Sequence, residues 1–527
     1  MRADCLGIGW TVHGQRGFER DGSDVMDGSR LMTVDAMRTV DATAIAGGTP
    51  GIALMRAAGA AVAERARAHL APGGRVLVLC GPGNNGGDGF VAARLLAEAG
   101  HGVDLALLGP RDALSGDAAE AAAAWTGTVL GLAEAEPSRA DLVVDALFGA
   151  GLSRDLEGPA RHALERVAAS GRPVLAVDVP SGVDGDTGMV RGFALPAVET
   201  VTFVAEKPGH LLQPGRGLCG HVHVADIGTG PAAFAAGLAL GSPAFRNGPA
   251  LWNACFPRLS EASHKYTRGH TLVLSGPATR TGAARLAARG ALRVGAGLVT
   301  VASPERALAE NAAHLTAIML RGCDSADDLD DLLTDERINA ILAGPGLGVG
   351  EATRDLVAVA AAAGRGLVLD ADALTSFAKQ AALLSAHIAD GDAKAVLTPH
   401  AGEFAKLFSG TDAVAEVGKL EQARRAAAQS GAVVVFKGPD TVVAAPDGRA
   451  AINEHATPWL GTAGSGDVLA GLIAGLLAQG MPPFEAACAA VWLHGDASLR
   501  HGPGLIAEDI PELMPAVLAD VLQRLRG

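Results

Sequence analysis

Residues Arg75 to Phe90 read RVLVLCGPGNNGGDGF, and this stretch decides the fold. Its unbroken apolar run marks a strand buried on both faces, the signature of a parallel sheet. The run passes directly into a glycine-rich loop and then into an alanine-rich segment of helical period. Glycine permits positive φ and lets main-chain N–H groups approach an anion closely, while a following helix N-terminus adds a favourable dipole. The unit is strand, anion loop, helix. It is not the GxGxxG dinucleotide fingerprint, because Asn84, Asn85 and Asp88 occupy the loop. A tight turn with Asp88 as helix cap explains some of these residues but not all of them together.

A second cluster, GTAGSGDVLAG at Gly461 to Gly471, opens another long apolar helix. Two such loops on one chain imply two nucleotide-type sites. The length of 527 residues exceeds what one hydrophobic core usually supports, so two domains are expected. Before residue 229, strands are predicted at Arg75–Cys80, Val103–Leu108, Asp141–Leu147, Pro173–Val179 and Val201–Ala205. Helices are predicted at Gly89–Ala99, Asp117–Trp125 and Pro159–Ala169. The alternation resumes with strands at Thr271–Leu274, Leu298–Val301, Ala340–Ala343, Leu367–Leu369, Ala395–Leu397 and Val433–Phe436. The fold class is thus α/β in two tandem domains, with both motifs at the carboxyl ends of strands, where such sheets bind ligands. The expected division is an N-terminal extension (1–30), a first domain (31–228), a linker region with a short helix (229–261) and a second domain (262–527).

Composition narrows the function classes. The chain is 49% hydrophobic but only 4% aromatic, with 70 Gly, which points to small-residue packing of helices close on sheets. A net charge of -14 argues against a broad basic surface, so no nucleic acid is expected as partner. Six Cys are scattered singly, without zinc or disulfide spacing, as in a reduced cytoplasmic protein. The apolar stretch Val468–Ala478 is too short to span a bilayer, and 227–245 is too broken by Gly and Pro, so no membrane association is expected. The first thirty residues lack the apolar core of a signal peptide.

Two acids close apolar strands in the first half, Asp145 in VVDALFGAGLSRD and Asp178 in AVDVPSGVDGDTG. One such Asp usually caps the next helix; two facing one loop suggest more. Oxygen groups of Asn85, Asp145 and Ser181 suit a hard monovalent or divalent cation. Lys207, in TFVAEKPGH, follows another strand and makes an acid–base pair with a strand-end Asp, its alternative being a surface lysine.

With these residues in view, the stretch from Met32 to Ile227, carrying GNNGGDG, VVDALFG and VDVPSG, resembles the YjeF N-terminal family, epimerases of hydrated NADH and NADPH. The segment MRTVDATAIAGGTPGIALMRAAG is similar to that family's first helices. The resemblance implies a Rossmann-like three-layer α/β/α domain. It also implies nucleotide contacts from Asn84, Asn85, Gly86, Gly87 and Asp88, and from Gly149, Ala150, Gly151, Leu152, Ser153, Arg154 and Asp155. Asp178 would lie beside the modified nicotinamide, and potassium would sit on Asn85, Asp145 and Ser181.

In the second half, GTAGSGD resembles the GxGD anion hole of the ribokinase-like superfamily, again an α/β/α fold. Main-chain N–H groups from Ala463 to Gly466 would neutralise charge on a transferring phosphoryl group, and Asp467 would take the proton of the accepting hydroxyl. HKYTRGH (His264 to His270), TGAARLAARGALRVGAGLVTVA, AGPGLG (Ala343 to Gly348), LTPHAGEFAKL and FKGPDTVV together resemble the ADP- or ATP-dependent dehydratases of the same hydrates. By that similarity Lys437, Gly438, Pro439, Asp440, Thr441 and Gly466 bind the nucleotide, and Ala283, Gly346, His400 and Asp467 line the hydrate pocket. His400 is otherwise a satisfied loop histidine, and Asp467 a helix cap.

The joint expectation is a bifunctional repair enzyme for NADHX and NADPHX. One domain epimerises the R and S forms, with Asp178 and Lys207 moving protons. The other dehydrates the S form at the expense of ADP or ATP with magnesium. A homo-oligomer is expected. The competing reading is a ribokinase-like small-molecule kinase whose N-terminal half is a nucleotide-sensing or scaffold module.

Overall fold

The computed structural model describes residues 29–525. Two sheets organise them. The first has seven strands, all parallel, in the order Val129–Gly131, Gly102–Leu107, Arg75–Cys80, Leu142–Ala146, Val174–Val177, Glu199–Phe203 and His221–Ala225. The chain leaves Arg75–Cys80 to one side for its next strand and returns on the other at Leu142–Ala146. That reversal opens a crevice at the carboxyl ends of these two strands.

The second sheet has eleven strands. Six parallel strands form its body, in the order Val433–Phe436, Lys394–Leu397, Gly366–Leu369, Ala340–Ala343, His270–Leu274 and Leu298–Ser303, and Met319–Gly322 extends it in parallel. Thr441–Ala444 and Ala450–Asn453 follow on antiparallel to their predecessors. The reversal of order here lies between His270–Leu274 and Ala340–Ala343. The six strands predicted from sequence are all present; Met319–Gly322, Thr441–Ala444 and Ala450–Asn453 were not anticipated.

Residues 229–261, anticipated as a linker with a short helix, contain that helix at Pro231–Leu238 and further elements besides. The strand Ala244–Arg246 pairs with Ala450–Asn453, and Arg30–Leu31 pairs with Ala244–Arg246, so two segments from the amino-terminal side complete the second sheet. Trp252, fully buried, packs against Phe256 and Trp492. Leu211 and Leu212 lie in one apolar cluster with Val442 and Ile452. Segments of the amino-terminal side thus contribute to the apolar core of the second sheet. The amino-terminal extension falls mostly outside the described residues.

The Ala and Gly content has a direct structural use. The helices Thr281–Val294 and Ser465–Ala478 cross so closely that a Cβ at Gly471 would sit 2.0 Å from the Ala287 carbonyl oxygen. Any larger residue there would push the helices apart and displace both helix N-termini. No helix among the described residues is long and apolar enough to cross a membrane.

Candidate active sites

The first site is built on the helix Asn84–Glu98. The sequence placed this helix from Gly89, with Asn84 to Asp88 in a loop; the structure starts it at Asn84. The glycines explain the difference, since a Cβ at Gly86 would meet the Gly81 carbonyl at 1.9 Å and one at Gly87 would strike Met55. Only glycine lets the first turn sit this tightly on the strand end. No side chain caps the helix, so its first N–H groups remain for a ligand.

A cavity of about 570 Å³ opens there, lined by Asn84, Asn85 and Asp88, by Gly149 to Arg154, and by Asp178 and Lys207. Gly86, Gly87 and Asp155 do not line it; the first two are buried as packing residues. Asp178 follows the strand Val174–Val177 at φ 68, a left-handed conformation that a non-glycine residue holds only under constraint. The constraint is visible. Asp178 Oδ1 accepts from Lys207 Nζ at 2.7 Å and Thr202 Oγ1 at 3.0 Å, and Oδ2 accepts from the Ala150 N–H at 2.8 Å. His210 Nδ1 accepts from the Lys207 N–H, so Nε2 carries the proton and donates to the Asp178 carbonyl at 2.8 Å.

Burial pushes the Asp178 carboxyl up, but Lys207 and the donors outweigh it and hold the group down at about 2. Asp88 moves the opposite way: burial drives it well above the usual carboxylate range, and the charges of Asp178 and Asp41 add to the effect. Asp41, also on the cavity wall, is raised by burial as well. Carboxyls shifted in opposite directions thus share one cavity, the arrangement from which acid and base roles divide.

Asp145 and Ser181 lie beneath this surface, both fully buried. Ser181 Oγ donates to Asp145 Oδ1 at 2.6 Å and its N–H to Oδ2 at 2.9 Å. Burial raises Asp145, and only neutral donors oppose the rise; among the described residues no basic side chain pairs with it. A buried carboxylate without a counter-charge, beneath the cavity wall that Asn85 lines, is a setting that a monovalent cation fits.

The second site gathers loops at the carboxyl ends of adjacent parallel strands. Gly346 follows Ala340–Ala343, Asp370 and Asp372 follow Gly366–Leu369, His400 follows Lys394–Leu397, and Lys437 follows Val433–Phe436. Gly346 at φ 74 packs against the main chain of Arg280, just before Ala283. His400 caps the helix Ala401–Leu407, its Nδ1 accepting from the Gly402 N–H at 3.0 Å while 60% of its side chain is exposed.

Gly464, left-handed at φ 89, leads into the helix Ser465–Ala478, whose N-terminus again has no side-chain cap. His494 donates from Nε2 to the Ser465 carbonyl at 3.0 Å, and burial lowers it to about 4, so it holds this turn as a neutral donor. Asp467 lies in the first turn. Burial pushes it up to about 6, helped by the charge of Asp370 and opposed by Lys437. Gly466 adjoins Lys437, whose Nζ would lie in ordinary contact, 3.5 Å, from a Cβ built there.

Of the residues proposed for nucleotide contact, Asp440 stands apart. It is 6% exposed, with Oδ1 on Lys419 Nζ at 2.5 Å and Oδ2 accepting from the Gln213 N–H at 2.9 Å. The reading of the sequence also passed over Asp41, Thr202, His210, Asp370, Asp372, Glu403 and His494. Asp370 was within reach of it, because it closes an apolar strand as Asp145 and Asp178 do; the others carry no local pattern.

Two family models match the chain: "YjeF-related protein N-terminus" over residues 51–209 and "NAD(P)H-hydrate dehydratase" over residues 271–512. The chain is 38% identical over 504 residues to the bifunctional NAD(P)H-hydrate repair enzyme Nnr of Moorella thermoacetica, covering 90% of this chain and 93% of that one. It is 36% identical to the enzyme of the same name from Salinibacter ruber, over 93% and 96% of the two chains. Among solved structures, the ADP/ATP-dependent NAD(P)H-hydrate dehydratase of Bacillus subtilis, co-crystallised with ATP and Mg2+, aligns at 29% identity. That match covers 54% of this chain and all of the other, with a TM-score of 0.46.

Proposed function

The chain belongs to the family of bifunctional NAD(P)H-hydrate repair enzymes, and from that premise we propose how its two sites divide the work. One observation supports the division. Each of the two uncapped helix N-termini, at Asn84 and Ser465, has a lysine–aspartate pair beside it: Lys207 with Asp178, and Lys437 with Asp370.

The first site interconverts the R and S forms of the hydrated nicotinamide ring. The glycine-rich helix start holds the nucleotide phosphates, and Gly149 to Arg154 cover it. Asp178, ionised and fixed by Lys207, takes the proton of the ring hydroxyl. A carbon–nitrogen bond then opens to an aldehyde, and reclosure on the other face returns the proton. Potassium, if bound, is held by Asn85, Asp145 and Ser181; it supplies the counter-charge that Asp145 lacks and keeps the loop under Asp178 in place.

The second site dehydrates the S form with a nucleotide as phosphoryl donor, for which we propose ADP. Asp467 accepts the proton of the attacking hydroxyl as its oxygen bonds to phosphorus. The N–H groups of the Ser465 turn and Lys437 stabilise the charge that develops on the phosphoryl oxygens. The ring nitrogen lone pair then expels phosphate, and loss of the neighbouring C–H proton restores the dihydronicotinamide. Magnesium would accompany the phosphates and offset their charge; Asp370, Asp372 and Glu403, whose charges act on Asp467, would favour a cation brought in with the nucleotide.

The test is incubation of the full chain with NADHX, ADP and magnesium, following dihydronicotinamide absorbance and free phosphate. Equal recovery of both supports the reading. A stable phosphorylated hydrate without recovery of absorbance overturns it in favour of a kinase.

A further inference from the structure

One continuous segment, Lys207 to Arg216, joins the two sites. It begins at the Lys207–Asp178 pair and turns at His210. It then buries Leu211 and Leu212 against the second sheet. Beyond them the Gln213 N–H donates to Asp440 Oδ2 at 2.9 Å. Arg216 spans two carbonyls, Nη1 donating to Pro439 at 3.2 Å and Nη2 to Glu454 at 2.7 Å. On the other side of the same turn Lys419 Nζ holds Asp440 through Oδ1 at 2.5 Å and through its carbonyl at 3.0 Å. A Cβ at Gly438 would fall 2.5 Å from Lys419 Nζ, so a side chain there would displace the lysine from Asp440. The turn Gly438–Thr441 is thus gripped from the first unit and from the second, the first unit holding it through the Pro439 carbonyl and the Asp440 carboxylate.

We propose that Arg216, a residue of the first unit, is a positioning residue for the nucleotide site of the second, holding Pro439 and Asp440 in the conformation that receives ADP. The proposal rests on the reading of Lys437 to Thr441 as nucleotide-binding. Its physical basis is preorganisation: a turn already fixed loses less conformational freedom when ligand binds, and charge-assisted hydrogen bonds from a guanidinium are the stronger kind. Asp440 accordingly serves the turn from within rather than touching the ligand. A guanidinium reaches two carbonyls at once, which an ammonium cannot match in the same geometry.

The experiment uses the full chain with Arg216→Met, which keeps the apolar stem, and Arg216→Lys. The control is Glu206→Gln, which breaks the ion pair from Arg246 to Glu206 between the units while leaving Arg246 on Glu454, without touching Pro439. Binding of ADP with magnesium is measured by calorimetry, and dehydration and epimerisation by rate. Arg216→Met is expected to weaken ADP roughly tenfold in dissociation constant and in KM, with kcat at saturating ADP and epimerisation within about twofold. Arg216→Lys should recover part of the loss, and it replaces Arg216→Met if that variant does not fold. Unchanged ADP affinity in an Arg216 variant, where the unmodified chain binds ADP, overturns this inference and leaves the proposed function standing. Equal weakening by Glu206→Gln also overturns it, because the effect is then general loosening of the interface. Absence of ADP binding by the unmodified chain counts instead against the proposed nucleotide site itself.

Discussion

Lys437 Nζ lies 2.7 Å from Asp370 Oδ1, and this pairing leaves Asp467, the acid at the neighbouring helix start, without an ion pair of its own among the described residues. The lysine tempers Asp467 from a distance while its contact goes elsewhere. A carboxyl near pH 6 is basic enough to accept a proton and still largely ionised at neutral pH.

Asp467→Asn keeps the shape of the turn and removes the base. Dehydration should fall by roughly two or more orders of magnitude, the usual range for a lost general base. ADP affinity, read by calorimetry, should change little. Near-normal turnover would reject the role.

The pH profile carries the sign of the same group. Asp467 must be deprotonated to act, so kcat/KM for dehydration should fall as pH drops through about 6. Asp370→Asn removes a charge that raises Asp467 and releases Lys437, which lowers it. Both changes favour the ionised form, so the acid limb should move to lower pH. A limb that moves upward in this variant would show that Asp467 is not the titrating group.

Asp145→Ala should depress epimerisation and abolish its response to potassium, while dehydration of purified S form continues. Rates measured in potassium and in a bulky organic cation buffer decide it. Loss of both activities together would point to misfolding, a serious possibility for a buried, hydrogen-bonded carboxyl.

Asp178→Ala in the full chain should leave R form behind while S form disappears at its normal rate, apart from slow spontaneous epimerisation. Chromatographic separation of the epimers over time, with ADP and magnesium present, reads both. Rapid clearance of R form by this variant would assign epimerisation to other residues.

Fragments test what residues before 262 contribute to the second sheet. A piece beginning at residue 262 discards the strand Ala244–Arg246 and Trp252, whose burial alone is worth on the order of 3–5 kcal/mol. It should unfold at lower temperature, or without cooperativity, compared with a piece beginning at residue 240. Equal melting temperatures would mean that the added strand and tryptophan contribute nothing to the second unit.

What the sequence determined by itself was everything that a local pattern encodes. Unbroken apolar runs such as RVLVLC and AVVVF report strands buried on both faces, because burial leaves its mark on each segment separately. GNNGGDG reports a helix start that no side chain caps, because only glycine fits so near a strand end, and GTAGSGD reports another, entered through the left-handed Gly464. The two-unit α/β architecture, the strand-end acids Asp145 and Asp178 and the catalytic candidate Asp467 were legible on that basis. What the tertiary structure decided was partnership. A strand as short as Ala244–Arg246 has too few residues to show a period, and its place in the second sheet is fixed by the Ala450–Asn453 edge it completes. Nothing near Gln213 in the chain announces Asp440, 227 positions away, and nothing near Lys437 announces Asp370. Hydrogen bonds and ion pairs between distant segments form only once packing has brought the groups together, so they leave no periodicity for the sequence to display.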